Sequence, residues 1–503
     1  MKLNQLFETF LDPGQHPFSQ IEISGVYSEA RKVQLGGVFV ALRGLKHDGH
    51  DFISQAIQQG CMAVVVEDKS KVPTDFTGYV LQVPDSRAAL DVLATRFFSN
   101  PSRELFCFGI TGTNGKTSIT YLLEHILSFV GLPNGVIGTV NHRVGEKVWS
   151  SEMTTPDPLL LQQRLREFCE AGARAVSMEV SSHALDQKRV DSVAFNCMIF
   201  TNLTRDHLDY HGSMQKYFEA KQRLFLDLIR QTTKYPVYAV INTADAWGRK
   251  MKVADPAVLW TYGAKDSDFR HKILKMDFSG AEFSLNSVFG EQIIKIPQAG
   301  EHNVLNSIAA MLGALSAGIR LEVSAQALAQ FKGVPGRLQR VLTHEWPAKE
   351  NFHVFIDYAH TPDALENVLK TMRELLQKTN KEQGRRAQLI TLFGCGGDRD
   401  KGKRPLMASL AEAYSDRVIV TSDNPRTEDA QMIIDEIAAG FKKIKPHFFL
   451  DRREAIRQGV QGMNEHDVLL IAGKGHEDYQ ILGTEKIHFS DYEESYQALQ
   501  QIK

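Results

Sequence analysis

The chain has 503 residues, of which 43% are apolar and 23% charged, as in an ordinary globular protein and unlike a disordered or membrane chain. Its 58 Lys and Arg against 60 Asp and Glu provide no overall field for nucleic acid or an anionic membrane, so any phosphate binding must be local. Since a typical domain has roughly 100 to 200 residues, a chain of this length is expected to form about three domains.

The N-terminal residues lack the long apolar core of a signal peptide, since acidic residues and Pro13-Gly14 interrupt them. No stretch approaches the roughly 20 apolar residues that a membrane helix needs. The cysteines are odd in number, widely spread and without a CxxC pair: Cys61, Cys107, Cys169, Cys197 and Cys395. We therefore expect a cytoplasmic protein with reduced thiols, without membrane insertion and without nucleic acid as a partner.

The first part of the chain predicts a small α/β domain. Apolar runs at 37–44 and 61–66 are typical of short strands, and residues 51–59 between them are typical of a helix. The segment Ser99-Asn-Pro-Ser102 has the composition of a connector.

A second predicted domain starts near residue 101 with the context of a phosphate-binding loop: an apolar strand at 106–110, a glycine-rich turn and a helix at 118–130. The turn reads Thr111-Gly-Thr-Asn-Gly-Lys-Thr117. It is shorter than GxxxxGK[ST], because Ile110 occupies the place of the first glycine, so an ordinary glycine-rich turn is the alternative.

Each residue type in this turn suits a phosphate. Gly112 and Gly115 let backbone N–H groups approach phosphate oxygens, and the helix N-terminus adds a favourable dipole. Lys116 neutralises negative charge, and the Thr117 hydroxyl can ligate magnesium.

Of three polar residues further along the chain, the sequence alone gives only the first a role in phosphate chemistry. Glu179 follows the apolar stretch 175–178 and lies where a strand would end, so its carboxylate can ligate Mg²⁺. His207 lies in a polar turn after a predicted strand at 194–200, where a lone histidine is more often structural. Lys221, taken alone, has the pattern of a solvated helix lysine.

A third predicted domain follows the Gly- and Pro-rich segment Gly333–Leu338, which has the composition of a hinge. Predicted strands at 353–357, 388–393, 417–421 and 467–472 alternate with predicted helices at 363–377, 404–414, 428–442 and 452–461. Such alternation indicates βαβ units and a parallel sheet. Each strand ends in a polar turn, and the turns of an open α/β sheet share one rim at which ligands bind.

Together these motifs resemble those of the Mur ligase family. They are TGTNGKT, MEVSSH at 178–183, TNLTRDHLDYHG at 201–212, and the third-domain turns DYAHTPD, GCGGDRDKGKRP, DNPRTED and AGKGHEDYQ. The resemblance covers nearly the whole chain and implies three α/β domains. They are a UDP-sugar-binding domain at 1–100, a central P-loop-type ATPase domain at 101–333 and a C-terminal Rossmann-like domain at 334–503 that brings the amino acid.

The resemblance implies roles for individual residues. It assigns catalysis to Lys116, Glu179, His207 and Lys221, and magnesium binding to Thr117, Glu179 and His207. It also implies that Lys221 is carbamylated to N6-carboxylysine, which replaces a cation with a carboxylate-like group that helps to place a second magnesium ion. ATP contacts are implied at the loop and at four later positions: Gly112, Thr113, Asn114, Gly115, Lys116, Thr117, Asn303, Arg337, Asp357 and His360.

Contacts to a UDP-sugar peptide are implied at Thr154, Thr155, Ser181, Gln187 and Arg189, and in the N-terminal domain at Ser28, Gly44 and His47. The N-terminal domain departs from the family pattern. Relatives carry Asp-Ser-Arg where this chain has Glu29-Ala-Arg31, which leaves the uridine contacts open.

The turn Asp423-Asn-Pro-Arg426 bears on the choice of amino acid. Arginine presents a planar fork of donors that matches a carboxylate, so Arg426 suits an amino acid with a carboxylate at its far end. Diaminopimelate has one there and lysine does not. The resemblance completes this site with Arg399, Asp423, Asn424, Gly473 and Glu477, the last suited to a distal ammonium group.

The expected protein is therefore a monomeric, ATP- and magnesium-dependent amide-bond-forming ligase of peptidoglycan synthesis, and so of cell shape and division. It would join meso-diaminopimelate to the D-Glu γ-carboxylate of UDP-MurNAc-L-Ala-D-Glu through an acyl-phosphate. A lysine-adding ligase, another Mur or folylpolyglutamate-type ligase, and a P-loop kinase or regulatory module are the alternatives.

Overall fold

The computed structural model describes residues 1–11, 21–44, 47–341 and 351–502, and the Pro13-Gly14 pair lies outside them. The chain divides into two compact units. The first comprises Met1–His271, Leu285–Gln292 and Leu305–Ala327, and the second Lys272–Ser284, Ile293–Val304 and Leu328–Lys503. No helix among the described residues is long and apolar enough to cross a membrane.

The N-terminal part of the first unit is a parallel sheet with helices on both faces. Its strands lie in the order β1-β2-β3-β4, and they are Val26–Tyr27, Val38–Val40, Ala63–Val66 and Tyr79–Gln82. The helices are α1 Leu3–Phe7, α2 Ile53–Gln58 and α3 Ser86–Phe97. Alternate strand residues face opposite ways, so Val38 and Val40 pack with α1 and α3 while Phe39 packs with α2. Strands β1 and β4 and helix α3 were not predicted.

The rest of the first unit is built on a sheet in the order β12-β11-β10-β5-β9-β6-β7-β8. Its strands are β5 Phe106–Thr111, β6 Asn134–Ile137, β7 Asn141–Val144, β8 Lys147–Ser150, β9 Ala175–Glu179, β10 Cys197–Phe200, β11 Tyr238–Asn242 and β12 Val258–Tyr262. Strands β6, β9, β5, β10, β11 and β12 are parallel. The helices are α4 Lys116–Phe129, α5 Pro158–Glu170, α6 Ser182–Asp186, α7 Leu208–His211 and α8 Met214–Gln231.

The strand order brings three predicted turns together. Strand β5 lies between β9 and β10, with Ile110 opposite Glu179 and Thr111 opposite Phe200. The carboxyl ends of these parallel strands therefore meet at one edge, where the turns that follow them carry the predicted phosphate chemistry.

Further strands and helices lie on both sides of the division between the units. They are β13 Arg270–Asp277, β14 Gly280–Ser287 and β15 Gly290–Ile296, in that order in one sheet, and helices α9 Glu301–Ser316 and α10 Leu321–Ala329.

The second unit contains a sheet in the order β16-β17-β21-β18-β19-β20, in which only the β16–β17 pairing is antiparallel. The strands are β16 Gln339–Arg340, β17 His353–Asp357, β18 Leu389–Phe393, β19 Arg417–Thr421, β20 His447–Phe449 and β21 Val468–Ala472. A hairpin follows, β22 Tyr479–Leu482 and β23 Glu485–His488. The helices are α11 Pro362–Gln383, α12 Lys403–Tyr414, α13 Ala430–Ala438, α14 Arg452–Gln461 and α15 Asp491–Gln500.

The four strands predicted for this domain are confirmed to within a residue, because each is an apolar run buried on both faces of a parallel sheet. The helix predicted at 428–442 is wrong in length, since Asp429 caps its start and it ends at Ala438. Helix α11 is longer than predicted, and Gly384, which has a φ of 62°, caps its C-terminus.

Candidate active site

The predicted phosphate loop connects β5 to α4 as a strand–turn–helix. Gly112 and Gly115 have φ of 148° and 91°. A Cβ atom at Gly112 would lie 1.8 Å from the Thr201 hydroxyl, and one at Gly115 would lie 2.5 Å from Asn306 Oδ1. Both positions therefore require glycine, and α4 starts immediately afterwards with its first N–H groups directed toward the loop.

The turn after β10 holds the loop in place. The backbone N–H groups of Thr113 and Asn114 donate to the carbonyl and side-chain oxygens of Asn202, both at 2.9 Å. The Thr201 hydroxyl donates to the Asn114 carbonyl at 2.6 Å. These two loop N–H groups are thus already bonded within the protein.

Two lysine ammonium groups meet at one carbonyl oxygen of the loop. Lys116 Nζ donates to the Gly112 and Thr113 carbonyls at 2.9 and 2.7 Å. Lys221 Nζ, on α8, donates to the same Gly112 carbonyl at 3.0 Å. The Lys221 residue is only 1% exposed, so its interpretation as a solvated lysine is wrong. Burial, with the Lys116 charge adding to it, lowers the pKa of the Lys221 amine well below its ordinary value.

Glu179, the last residue of β9, is 1% exposed and fully engaged. Its Oε1 accepts from the Thr117 hydroxyl at 3.0 Å and from the Thr139 N–H at 2.9 Å. Its Oε2 accepts from the Thr139 hydroxyl at 3.0 Å. The predicted pair of Thr117 and Glu179 therefore lies together at the carboxyl edge of the sheet.

The residues predicted for the UDP-sugar peptide surround Glu179. The Thr154 and Thr139 hydroxyls lie 3.0 Å apart, and the Thr155 hydroxyl donates to the Glu179 carbonyl at 2.8 Å. The Ser181 N–H donates to that same hydroxyl at 3.0 Å.

Arg189 extends this group. Its Nη1 donates to the Thr155 carbonyl at 2.9 Å, and its Nε and Nη2 donate to Gln187 Oε1 at 3.1 and 2.6 Å. All five central residues predicted for this substrate are thus brought together.

His207 belongs to a different cluster at the same edge. It has a φ of 52°, and its ring lies 4.8 Å from that of His183 and 6.0 Å from that of Tyr217. Lys221 Nζ lies 4.7 Å from the centre of the Tyr217 ring. Tyr217 therefore connects His207 to the buried lysine, and among the described residues His207 hydrogen-bonds to neither Thr117 nor Glu179.

A hydroxyl and a carboxylate are hard oxygen ligands of the kind that Mg²⁺ prefers, so Thr117 and Glu179 fit this ion. Among the described residues, no three His, Cys, Asp or Glu side chains form a metal cluster.

Within the described ranges, the N-terminal residues predicted to bind uridine do not form a hydrogen-bonded group like the one around Glu179. Ser28 is half-buried, and Gly44 donates its N–H to the His47 carbonyl at 2.9 Å. Glu29, in the place where relatives have aspartate, forms ion pairs with Lys32 at 2.6 Å and Arg31 at 3.2 Å.

In the second unit, the turn after β17 gathers three of the residues predicted for ATP. Asp357 accepts from the Leu338 N–H at 2.7 Å and the Ala359 N–H at 2.9 Å, and burial raises its pKa although the nearby Arg337 opposes the rise. The Arg337 guanidinium lies 5.4 Å from the centre of the Tyr358 ring, and His360 Nδ1 lies 2.9 Å from the Tyr358 carbonyl. Asn303, in α9, donates to the Ala299 carbonyl at 2.8 Å.

The residues predicted for the amino acid lie on the rim formed after β18, β19 and β21. Asn424 Nδ2 donates to Glu477 Oε2 at 2.9 Å, joining the DNPR and AGKGHED turns. Arg426 has a φ of 52° and donates to the Gly397 carbonyl at 2.9 Å. A Cβ atom at Gly473 would lie 2.7 Å from Asp423 Oδ2, and Arg399 is exposed beside Gly396.

Two buried arginines that the sequence did not single out support this rim. Arg404 pairs with Glu428 at 3.0 Å and Glu436 at 2.6 Å, fixing the segment after DNPR. Arg452 forms a two-pronged pair with Asp491, both bonds at 2.7 Å, and donates to the carbonyls of Ser422 and Ala472 at the ends of β19 and β21. Arg404 lies inside the quoted motif GCGGDRDKGKRP, whereas Arg452 carried no local signal.

A doubly wound α/β unit with a phosphate loop at its carboxyl edge defines a nucleotide-binding enzyme fold. Three domain families match the chain: Mur ligase family, catalytic domain, over residues 22–98; Mur ligase middle domain over 110–314; and Mur ligase, glutamate ligase domain, over 336–475. The chain belongs to the Mur ligase family, and the predicted three-domain α/β architecture is confirmed.

Relatives with similarity over nearly the whole chain carry one name, UDP-N-acetylmuramoyl-L-alanyl-D-glutamate--2,6-diaminopimelate ligase. That of Geobacter metallireducens is 42% identical over 96% of this chain and 95% of its own length. That of Geobacillus kaustophilus is 41% identical over 93% of each chain. A solved structure with the same name has a TM-score of 0.71 at 31% identity and covers 99% of both chains. A MurF ligase from Thermotoga maritima in complex with ADP shares the fold, with a TM-score of 0.56 at 19% identity.

Proposed function

We propose that this protein is an ATP-dependent, ADP-forming ligase that joins meso-diaminopimelate to the D-Glu γ-carboxylate of UDP-MurNAc-L-Ala-D-Glu in peptidoglycan precursor synthesis. The full-length relatives named for this reaction support the proposal. The observation that carries it is the Asn424–Glu477 hydrogen bond of 2.9 Å, which joins the turn that bears the Arg426 guanidinium to the turn that bears the Glu477 carboxylate. Diaminopimelate ends in an ammonium and a carboxylate, which match these two charges.

The reaction needs ATP because a carboxylate is a poor electrophile. A γ-carboxylate oxygen attacks the γ-phosphorus of ATP, and ADP leaves. The amine then attacks the acyl carbon of the acyl-phosphate, and phosphate leaves with the oxygen that came from the carboxylate. Lys116 lies at the loop, where its charge neutralises the transferring phosphate oxygens.

Substrate contacts are proposed at the positions predicted from the sequence. The loop residues 112–117 with Asn303, Arg337, Asp357 and His360 bind ATP, and Ser28, Gly44, His47, Thr154, Thr155, Ser181, Gln187 and Arg189 bind the UDP-sugar peptide. Arg399, Asp423, Asn424, Arg426, Gly473 and Glu477 bind the amino acid. The family matches at 22–98, 110–314 and 336–475 support proposed domain boundaries at 100 and 333.

Magnesium is proposed at Thr117 and Glu179 and, in the separate cluster at the same edge, at His207, and when bound it would neutralise charge on the phosphates. Lys221 is proposed to be carbamylated: its neutral amine attacks CO₂, a C–N bond forms and a proton leaves. The lowered pKa of this amine and its contact with the Gly112 carbonyl, which it shares with Lys116, support that modification. Cytoplasmic location and a monomeric state remain predictions.

A screen of amino acids tests the function. Purified protein receives ATP, magnesium and UDP-MurNAc-L-Ala-D-Glu with one of meso-diaminopimelate, L-lysine, L-ornithine or D-Ala-D-Ala, and the amide product is identified by mass. We expect product with diaminopimelate and at least ~100-fold less with lysine; a native preference for lysine would contradict the assignment. The Lys116→Ala variant, expected to lose at least ~100-fold in turnover, is the control for contaminating ligase.

A further inference from the structure

Lys474, in the turn AGKGHED, is a buried cation with no place yet in the proposed chemistry. Its side chain is fully buried, with 0% exposure, in a turn where lysine would normally be solvated. Nζ lies 3.1 Å from Glu477 Oε2 and 3.2 Å from Asn424 Oδ1. Both partners belong to the proposed amino-acid site.

These contacts close a triangle of three side chains. Asn424 Nδ2 donates to Glu477 Oε2 at 2.9 Å, while Asn424 Oδ1 accepts from Lys474 and from the Ile481 N–H at 3.0 Å. The orientation of the Asn424 amide is thereby fixed, and Glu477 Oε2 accepts two hydrogen bonds. Within the part of the chain that the structure describes, Glu477 Oε1 accepts no hydrogen bond, and the side chain is 16% exposed. That oxygen is the one available to a ligand.

The triangle also sets the charge of the rim. An ammonium 3.1 Å from a carboxylate in a poorly solvated position offsets most of the field that this carboxylate would present to a ligand. A side chain that ends in an ammonium alone then meets a nearly neutral Glu477 and the cation Arg426. One that ends in an ammonium and a carboxylate meets the same compensated Glu477 but has the Arg426 guanidinium as a partner for its carboxylate.

We propose that Lys474 is a specificity-determining positioning residue, which holds Glu477 in place and compensates its charge so that amino acids with a purely cationic side chain are disfavoured. Specificity of this kind comes from making the wrong ligand less favourable as much as from binding the right one. The inference rests on the proposed function, since it concerns the discrimination between diaminopimelate and lysine.

The test is the Lys474→Met substitution, which keeps most of the side-chain volume and removes the charge. We expect the ratio of kcat/KM for diaminopimelate to kcat/KM for lysine to fall at least ~10-fold, or about 1.4 kcal/mol. The change should come chiefly from a lower KM for lysine, because an uncompensated Glu477 attracts its ammonium but also repels the distal carboxylate of diaminopimelate. The KM for ATP should stay unchanged within about twofold. A purely structural role would lower the use of both amino acids together.

Lys486→Met is the matched control. Lys486 is exposed, and its Nζ lies 3.7 Å from the centre of the Tyr479 ring, which Lys474 Nζ approaches to 5.4 Å. The Lys486→Met variant loses the same charge from the same neighbourhood, but Glu477 is not affected. Its ratio of kcat/KM for diaminopimelate to kcat/KM for lysine should therefore match that of the native protein. An equal fall in the control would show that the loss of any nearby charge is enough, and would overturn the proposal.

Two further variants separate charge from folding. Lys474→Gln keeps a hydrogen-bond donor without a charge and should show the same direction of change. In the Glu477→Gln background, Lys474→Met should no longer alter the ratio, because there is no carboxylate to compensate. An unchanged ratio in both single variants, or the failure of both to fold while Lys486→Met folds, would overturn the specificity role. If the native protein does not use diaminopimelate at all, the proposed function itself fails, which is a different result.

Discussion

Two ammonium groups within 3.0 Å of one carbonyl oxygen form an unusual arrangement at the phosphate loop. Lys116 is part of the glycine-rich turn, while Lys221 comes from α8 and is fully enclosed. Burial of an amine beside a like charge favours its neutral form, and a neutral amine is a nucleophile. Carbamylation would replace the repulsion between the two groups with attraction, which gives a physical reason for a lysine at this place.

Lys221→Ala should therefore lose at least ~100-fold in turnover and regain part of it with millimolar acetate or formate, since a small carboxylate can occupy the vacated anionic position. Lys221→Arg should stay inactive in the same buffers, because it restores only a cation. Lys216→Ala, which removes an exposed lysine from the same helix, should keep native turnover. The carbamate role is wrong if Lys221→Ala is fully active or if carboxylates rescue Lys221→Arg.

At the scale of elements, helix α3 contains a buried carboxyl group. Asp91 is 1% exposed and hydrogen-bonds to Ser192, and its Oδ1 has no partner in the described residues. Burial raises the pKa of Asp91 to about 7. The negative charge of Asp191 adds to the rise, and the hydrogen bonds from Ser192 oppose it. A carboxyl whose folded pKa is raised stabilises the fold fully below its unfolded pKa, and that stabilisation is lost as the pH rises through the folded pKa.

The stability of the native protein should therefore fall between about pH 4 and pH 8 relative to Asp91→Asn, by roughly 2 to 4 kcal/mol in total. The free energy of unfolding, measured in urea across this range, tests the prediction. Asp75→Asn, which neutralises an exposed carboxylate of the same unit, should follow the native curve. Parallel curves for the native protein and Asp91→Asn would show that Asp91 does not titrate in this window.

Most of the elements that position the site could be predicted, because each strand is a local apolar run and each functional turn follows one directly. The burial of Lys221 could have been predicted too, since it lies four residues after Tyr217 and four before Phe225, within the apolar stripe of α8. The Arg452–Asp491 pair could not, because it joins positions 39 residues apart through packing alone. The short strand β20 and helix α15 were not predicted, because neither segment has a strong apolar pattern in the sequence.

At the scale of the whole molecule, the two kinds of chemistry belong to different units. The phosphate loop with Glu179, His207 and Lys221 lies in the first, and the rim of Asn424, Arg426 and Glu477 lies in the second. The net charge of −2 supplies no general attraction for anionic substrates, so we expect recognition to depend on these local groups. A kinase would need only the first set, whereas an amide-bond-forming ligase uses both.

The most direct test of the central claim, an amide bond formed through an acyl-phosphate, follows the oxygen atoms of the substrate. UDP-MurNAc-L-Ala-D-Glu with ¹⁸O in both γ-carboxylate oxygens is incubated with the protein, ATP, magnesium and meso-diaminopimelate, and the products are analysed by mass. One ¹⁸O should appear in inorganic phosphate and one should remain in the amide for each tripeptide formed, with none in ADP. Phosphate without ¹⁸O, label in AMP, or ATP consumption without amide would contradict the account.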